Sequence, residues 1–148
     1  MPIKTFRGMM ADGAIDIINL HTNSGSTGYQ IKRLEVITES PADTAPEAIL
    51  KIYSVAQTTV TAKIDFSDQS LIAAAFYNQD ATAANIVSRV IVFDNMIINQ
   101  DIYLTYIDDN TGSATNLNYY LELEQVNLNL NENTVATLKD IRNITDPS

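Results

Sequence analysis

Asn118-Tyr-Tyr-Leu-Glu-Leu-Glu-Gln-Val-Asn-Leu-Asn-Leu-Asn131 decides the fold. Leu121 and Leu123 alternate with Glu122 and Glu124, the two-residue period of a strand with one dry face and one wet face. At Gln125 the phase slips, and Val126, Leu128 and Leu130 continue the alternation on even numbers. A one-residue slip turns the dry face outward unless a bulge or bend absorbs it. The stretch predicts a long, two-faced antiparallel strand, and with it an all-β domain.

Working outward, the rest of the chain reads the same way. Ala14–His21 predicts a first strand, followed by the polar loop Asn23–Gly28. Tyr29–Thr38 predicts a second, whose mixed faces imply a twist or bulge near Arg33 and Leu34. Pro41 and Pro46 mark Ser40–Pro46 as a loop, because proline lacks the amide that a ladder needs. Ala48–Tyr53 predicts a strand, and Thr58–Phe66 alternates Val60, Ala62, Ile64 and Phe66 against polar residues as a half-buried strand would. Leu71–Tyr77 contains three alanines that permit a short helix, but its apolar bulk and its neighbours favour a strand. Ile86–Phe93 and Asp101–Ile107 are rich in β-branched and aromatic residues and predict two more strands.

After Asn131-Glu-Asn-Thr134, which offers helix-capping side chains, Val135, Leu138, Ile141 and Ile144 recur every third residue as one stripe of a short amphipathic helix. The expected architecture is therefore all-β: an antiparallel β-sandwich or jelly roll of about eight strands with a short C-terminal helix. Residues 1–13 are expected to form an N-terminal arm, residues 14–131 the sandwich, and residues 132–148 the helix and tail.

Composition narrows the function. The 148 residues suffice for one domain, and 45% hydrophobic content supplies its core. A formal charge of −9 argues against nucleic-acid backbones, whose phosphates require clustered Lys or Arg, and against anionic membranes. Of nine basic residues, Lys4 and Arg7 lie in the first ten positions, leaving seven against all eighteen acidic ones. A basic start on an acidic body suggests an arm that reaches a neighbour, and its removal is expected to leave the fold intact. No stretch approaches a membrane span, and the first residues lack the apolar core of a signal peptide, so residence without export is expected.

No motif announces catalysis. His21 is the single histidine, no serine sits in a Gly-x-Ser-x-Gly elbow, and there is no cysteine for a thiolate metal site. Glu122 and Glu124 share a strand face at a spacing that glycoside hydrolysis would tolerate, and Asp65 and Asp68 flank a turn, but solubility alone explains both pairs. Asp108-Asp-Asn-Thr-Gly112 has the oxygen density of a calcium loop without the glutamate an EF-hand needs, and turn stabilisation is the favoured role. Tyr103, Tyr106, Tyr119 and Tyr120 lie on adjacent predicted strands, yet at most half can share a sugar-binding platform. The residues predict no catalytic site, no cofactor and no metal, hence no enzyme.

Four strings carry a resemblance. Ile64-Asp-Phe-Ser-Asp68, Phe93-Asp-Asn-Met-Ile-Ile-Asn-Gln-Asp-Ile-Tyr103, Asn118-Tyr-Tyr-Leu-Glu-Leu-Glu-Gln125 and Asn131-Glu-Asn-Thr-Val-Ala-Thr-Leu-Lys-Asp-Ile-Arg-Asn-Ile144 resemble small virion-associated proteins of marine tailed bacteriophages. The resemblance spans roughly Ile64 to Ile144. It implies a structural protein of the particle, assembled in the host cytoplasm, foremost a head decoration (cement) protein. Its partners would then be the major capsid protein or other virion proteins and further copies of itself. A tail, collar or fibre-associated protein and a carbohydrate-binding module are the alternatives. On the decoration reading, Ile3, Lys4, Phe6 and Arg7 reach the capsid, while Val135, Leu138 and Ile141 contact a neighbour.

Overall fold

The computed structural model describes residues 2–20, 26–40, 46–79, 86–93, 96–110 and 114–128. His21 and the whole C-terminal segment, with Val135, Leu138 and Ile141 and the expected helix, lie outside them. Eight strands follow one another: β1 (Ile3–Met10), β2 (Ile15–Ile18), β3 (Thr27–Thr38), β4 (Glu47–Tyr53), β5 (Leu71–Gln79), β6 (Ile86–Val92), β7 (Ile102–Asp108) and β8 (Leu117–Asn127). They form two antiparallel sheets, ordered β1-β8-β3 and β2-β7-β4-β5-β6. There is no helix among the described residues.

The pairing nests first with last: β1 with β8, β2 with β7, β4 with β5. That is a jelly roll, a long antiparallel ribbon wound into two facing sheets. Full nesting would also pair β3 with β6. Here β6 is hydrogen-bonded to β5 and lies against β3, so the second sheet gains a fifth strand.

The opening stretch behaves as its period demands. Leu117, Tyr119, Leu121 and Leu123 of β8 are buried between the sheets, and Asn118, Tyr120, Glu122 and Glu124 face outward. The expected bulge is in β3: Ile31 pairs with Leu123 and Arg33 with Glu122, leaving Lys32 as the extra residue. It converts the inward parity of β3 from odd (Tyr29, Ile31) to even (Leu34, Val36, Thr38), so all five are buried, and Ile31, Leu34, Val36 and Thr38 lie opposite Leu123, Leu121, Tyr119 and Leu117. The slip at Gln125 instead falls in the last three residues of β8, which ends at Asn127. Leu128 is buried just beyond it, and a Cβ on Gly28 would come within 2.9 Å of its Cδ1.

Leu71–Tyr77 is strand, as favoured, and both its faces are covered, which is why it shows no alternation. Ala73 and Ala75 face the core, and Ala74 lies on the other side.

Two expectations need correction. Residues 1–13 are not a free arm: Ile3–Met10 pair with β8 along their whole length, Met10 is buried and Phe6 packs on the core. The domain therefore begins with β1, and deleting the first ten residues would remove a strand. The segment missed detection because its even, core-side positions include Lys4 and Gly8. Conversely, Thr58–Phe66 is not a strand, and Ile64 and Phe66 are exposed. The strand it follows, β4, offers this alternation no edge, being already flanked by β5 and β7. Residues 54–70 instead form a strap pinned by the Lys51 ammonium, which donates to the Lys63 carbonyl (2.6 Å) and the Thr61 hydroxyl (3.1 Å).

Candidate functional site

The most feature-rich surface is the outer face of the three-stranded sheet, together with the edge strand β1. Register sets its side chains in rows across β1, β8 and β3: Met9–Asn118–Ile37, then Arg7–Tyr120–Glu35, then Thr5–Glu122–Arg33. Antiparallel neighbours stand close enough to interact directly. Arg33 reaches Glu35 at 2.8 Å and Glu122 at 4.0 Å, and its guanidinium lies 5.8 Å from the centre of the Tyr120 ring. The Tyr120 hydroxyl donates to Glu122 at 2.7 Å, and that bond to a carboxylate raises the tyrosine pKa. At the bulge, Lys32 pairs with Glu124 at 3.3 Å.

An open groove of about 440 Å³ crosses the first two rows, lined by Arg7, Met9, Glu35, Ile37, Asn118 and Tyr120. Met9 and Ile37 are apolar yet more than half exposed. Beneath it, Tyr119 faces inward against Gly8, where an added Cβ would stand 3.0 Å from the phenol oxygen. Burial first, and then the Asp16 carboxylate, raise the Tyr119 pKa. A glycine on β1 thus makes room for an aromatic ring across the strand.

Each acid pair singled out in the sequence has a partner of its own. Glu122 holds Tyr120 and Arg33, and Glu124 holds Lys32. Asp65 accepts from the Ser67 N–H and hydroxyl, which lowers its pKa, and Asp68 accepts likewise from Ser70. These are Asx turns in the strap.

Asp108 is buried and serves as the knot of the opposite end. Its carboxylate accepts from the N–H groups of Glu47, Asn110 and Thr115 and from the Thr115 hydroxyl, at 2.9–3.1 Å. Its own N–H donates to Asp12 in the β1–β2 turn, where Gly13 adopts φ 81°. Oxygens committed to N–H and O–H donors organise turns. No three His, Cys, Asp or Glu side chains are placed to hold a metal among the described residues.

The four tyrosines divide. Tyr106 and Tyr119 are in the core, with the Tyr106 hydroxyl donating to the Thr115 carbonyl at 2.6 Å. Tyr103 belongs to the five-stranded sheet and Tyr120 to the outer face of the other, so they form no common platform. Of the residues expected to reach a partner, Lys4 and Phe6 lie on the core side of β1, whereas Ile3 and Arg7 lie on its outer side. The Lys4 ammonium sits 5.3 Å from the centre of the Tyr29 ring.

Sequence reasoning missed Lys51, the buried ammonium under the strap. It is 2% exposed, and desolvation lowers its pKa. Its register partner Thr105 has a buried hydroxyl with no hydrogen-bond partner among the described residues. The signal available was a lone lysine between Leu50 and Ile52, inside an otherwise apolar strand. Comparison with protein-family models, with curated proteins and with solved structures finds no match for this chain.

Proposed function

We propose that this is a structural protein of a bacteriophage particle, acting as a head decoration protein that stabilises the capsid shell by contact and not by turnover. The resemblance of its Ile64–Ile144 strings to virion-associated phage proteins motivates the assignment. The observation that carries it is the pairing order of a jelly roll, an architecture recurrent among viral capsid domains. Also in support, the carboxylates that invited catalytic readings are committed to turns and ion pairs. Exposed apolar side chains remain on β6, the far edge of the five-stranded sheet: Ile86, Val87 and Ile91 are 51%, 52% and 44% exposed. A protein that binds only the assembled shell stabilises it by mass action, in proportion to occupancy.

The test is addition of the purified chain to particles stripped of it, followed by sedimentation and microscopy. Saturable binding over the head, with increased resistance of the shell to heat, is expected, and an Ile86→Lys/Val87→Lys double variant should bind at least ~10-fold more weakly. Binding to the tail or collar would replace the head assignment, and no binding to any particle would remove the virion reading.

A further inference from the structure

We propose that β1 is a self-pairing edge through which two copies of this chain form a two-fold dimer, Ile3 of each lying opposite Met9 of the other. The inference goes beyond the particle reading and stands whether or not the chain belongs to a virion.

It starts from backbone parity. The Pro2 carbonyl accepts from the Gln125 N–H at 2.9 Å, so Pro2 and Gln125 form a hydrogen-bonded pair of the β1–β8 ladder. Such pairs alternate along an antiparallel ladder, so Lys4, Phe6, Gly8 and Met10 direct their amides and carbonyls toward β8. Ile3, Thr5, Arg7 and Met9 direct theirs away from the sheet. β1 ends its sheet, and no described residue meets those groups. An unpaired strand edge of this kind is a template for another strand. The usual protections are weak here: Ile3–Met10 contains no proline and pairs with β8 without a bulge. Its one inward-facing charge, Lys4, lies over the Tyr29 ring.

Register then selects the occupant. Two copies of β1 related by a two-fold axis at Phe6 bring every outward backbone group into a ladder. Ile3 meets Met9 and Thr5 meets Arg7 as hydrogen-bonded pairs; Lys4 meets Gly8, and Phe6 meets itself, as non-hydrogen-bonded pairs. Ile3 and Met9, each 51% exposed, cover one another. Moving the axis to Arg7 would oppose two guanidinium groups, and moving it to Thr5 would leave Met9 uncovered. With the axis at Phe6, Arg7 of the second copy stands two strands from Glu122, about 10 Å between backbones, with only Thr5 between them. An extended arginine spans that gap, so charge complements across the seam. The result is one continuous sheet in the order β3-β8-β1-β1-β8-β3. A single strand pair buries less than a standard interface, so the dimer is concentration-dependent.

Sedimentation equilibrium of the full chain across a concentration series tests this. The mass should rise from 16.3 kDa toward twice that value. Thr5→Pro deletes one outward N–H and spares the β8 ladder, so it should stay at the single-chain mass with unchanged circular dichroism. If Thr5→Pro unfolds, Arg7→Glu replaces it: its side chain is exposed, and association should weaken at least ~10-fold as two acids meet at the seam. Because the chain lacks cysteine, a Phe6→Cys variant should crosslink to itself on oxidation faster than an Ile37→Cys control on β3. A single-chain mass at every concentration, a dimer indifferent to these edge variants, or equal crosslinking of the two cysteines would overturn the proposal. Each outcome leaves particle binding to be judged separately.

Discussion

The two sheets turn outward faces of the same period to different surroundings. On the three-stranded sheet, Arg33, Glu35, Glu122, Glu124 and Lys32 lie in the open, and the side chains of Arg33 and Glu35 are 53% and 55% exposed. On the five-stranded sheet, residues 54–70 cross the outer face, and Lys51 is left 2% exposed with neutral oxygens as its hydrogen-bond acceptors. An ion pair in water gains little because water already solvates both charges. An ammonium under a strap has lost that solvation and is compensated by two hydrogen bonds and by the Tyr53 ring, 5.7 Å away at its centre. Alternation therefore says which residues share a face, and the fold decides whether that face is wet.

The largest effect that separates the two faces is alkaline. Burial, followed by Asp68 and Asp65, pushes the Tyr53 pKa from 10.0 up to about 12, and burial raises that of Tyr106 as well. A folded pKa above the unfolded value means that the folded state holds its proton longer. This stabilisation is complete below pH 10.0 and is lost as pH climbs to about 12. Lys51 acts oppositely: its lowered pKa makes its contribution grow as pH rises toward 10.5, beyond which it is constant. Cooperative unfolding is expected between about pH 10 and 12. A Tyr53→Phe chain should unfold at clearly higher pH, and a Tyr120→Phe chain, whose raised pKa comes from a hydrogen bond on the open face, at a pH only slightly above wild type, as read by circular dichroism. Identical midpoints for both would erase the distinction between the faces.

Next in size is Lys51→Ala, which removes a buried stem and both pins of the strap. It should cost about 2–4 kcal/mol in urea unfolding, while Lys51→Met, keeping the stem, should stay within about 1 kcal/mol of wild type. Both should accelerate amide exchange in residues 54–70, and unchanged exchange there would show that the strap needs no pin. The smallest effect belongs to the open face. Arg33→Ala should leave the urea-unfolding midpoint close to wild type, with any difference shrinking further in salt.

Seven of the eight strands were legible because alternation and β-branched runs survive translation into pairing, as at Leu117–Asn127 and Ile102–Asp108. The bulge in β3 was legible too, since only an extra residue lets Ile31 and Leu34 share a face. The expected number of strands came out right through two offsetting errors. Thr58–Phe66 has strand alternation and pairs with no strand, whereas Ile3–Met10 has a partner in β8 and a weak pattern. Pairing is a property of two segments, and local pattern reports on one. The candidate site was less legible. Tyr120 was one of four tyrosines until register set Arg7 and Glu35 beside it, and the outward amides of β1 have no signature in side-chain identity.

By itself the sequence determined the class of architecture, because side chains alternating every second residue can bury one face only by stacking sheets. It also determined the acidic surface and the absence of thiol chemistry, which composition sets without reference to shape. Tertiary structure alone decided that the first ten residues close a sheet, that Lys51 is roofed over, and that the outward backbone groups of β1 meet no partner among the described residues. Those outcomes depend on which segments lie beside which, and neighbours brought together from opposite ends of the chain leave no trace in local spacing.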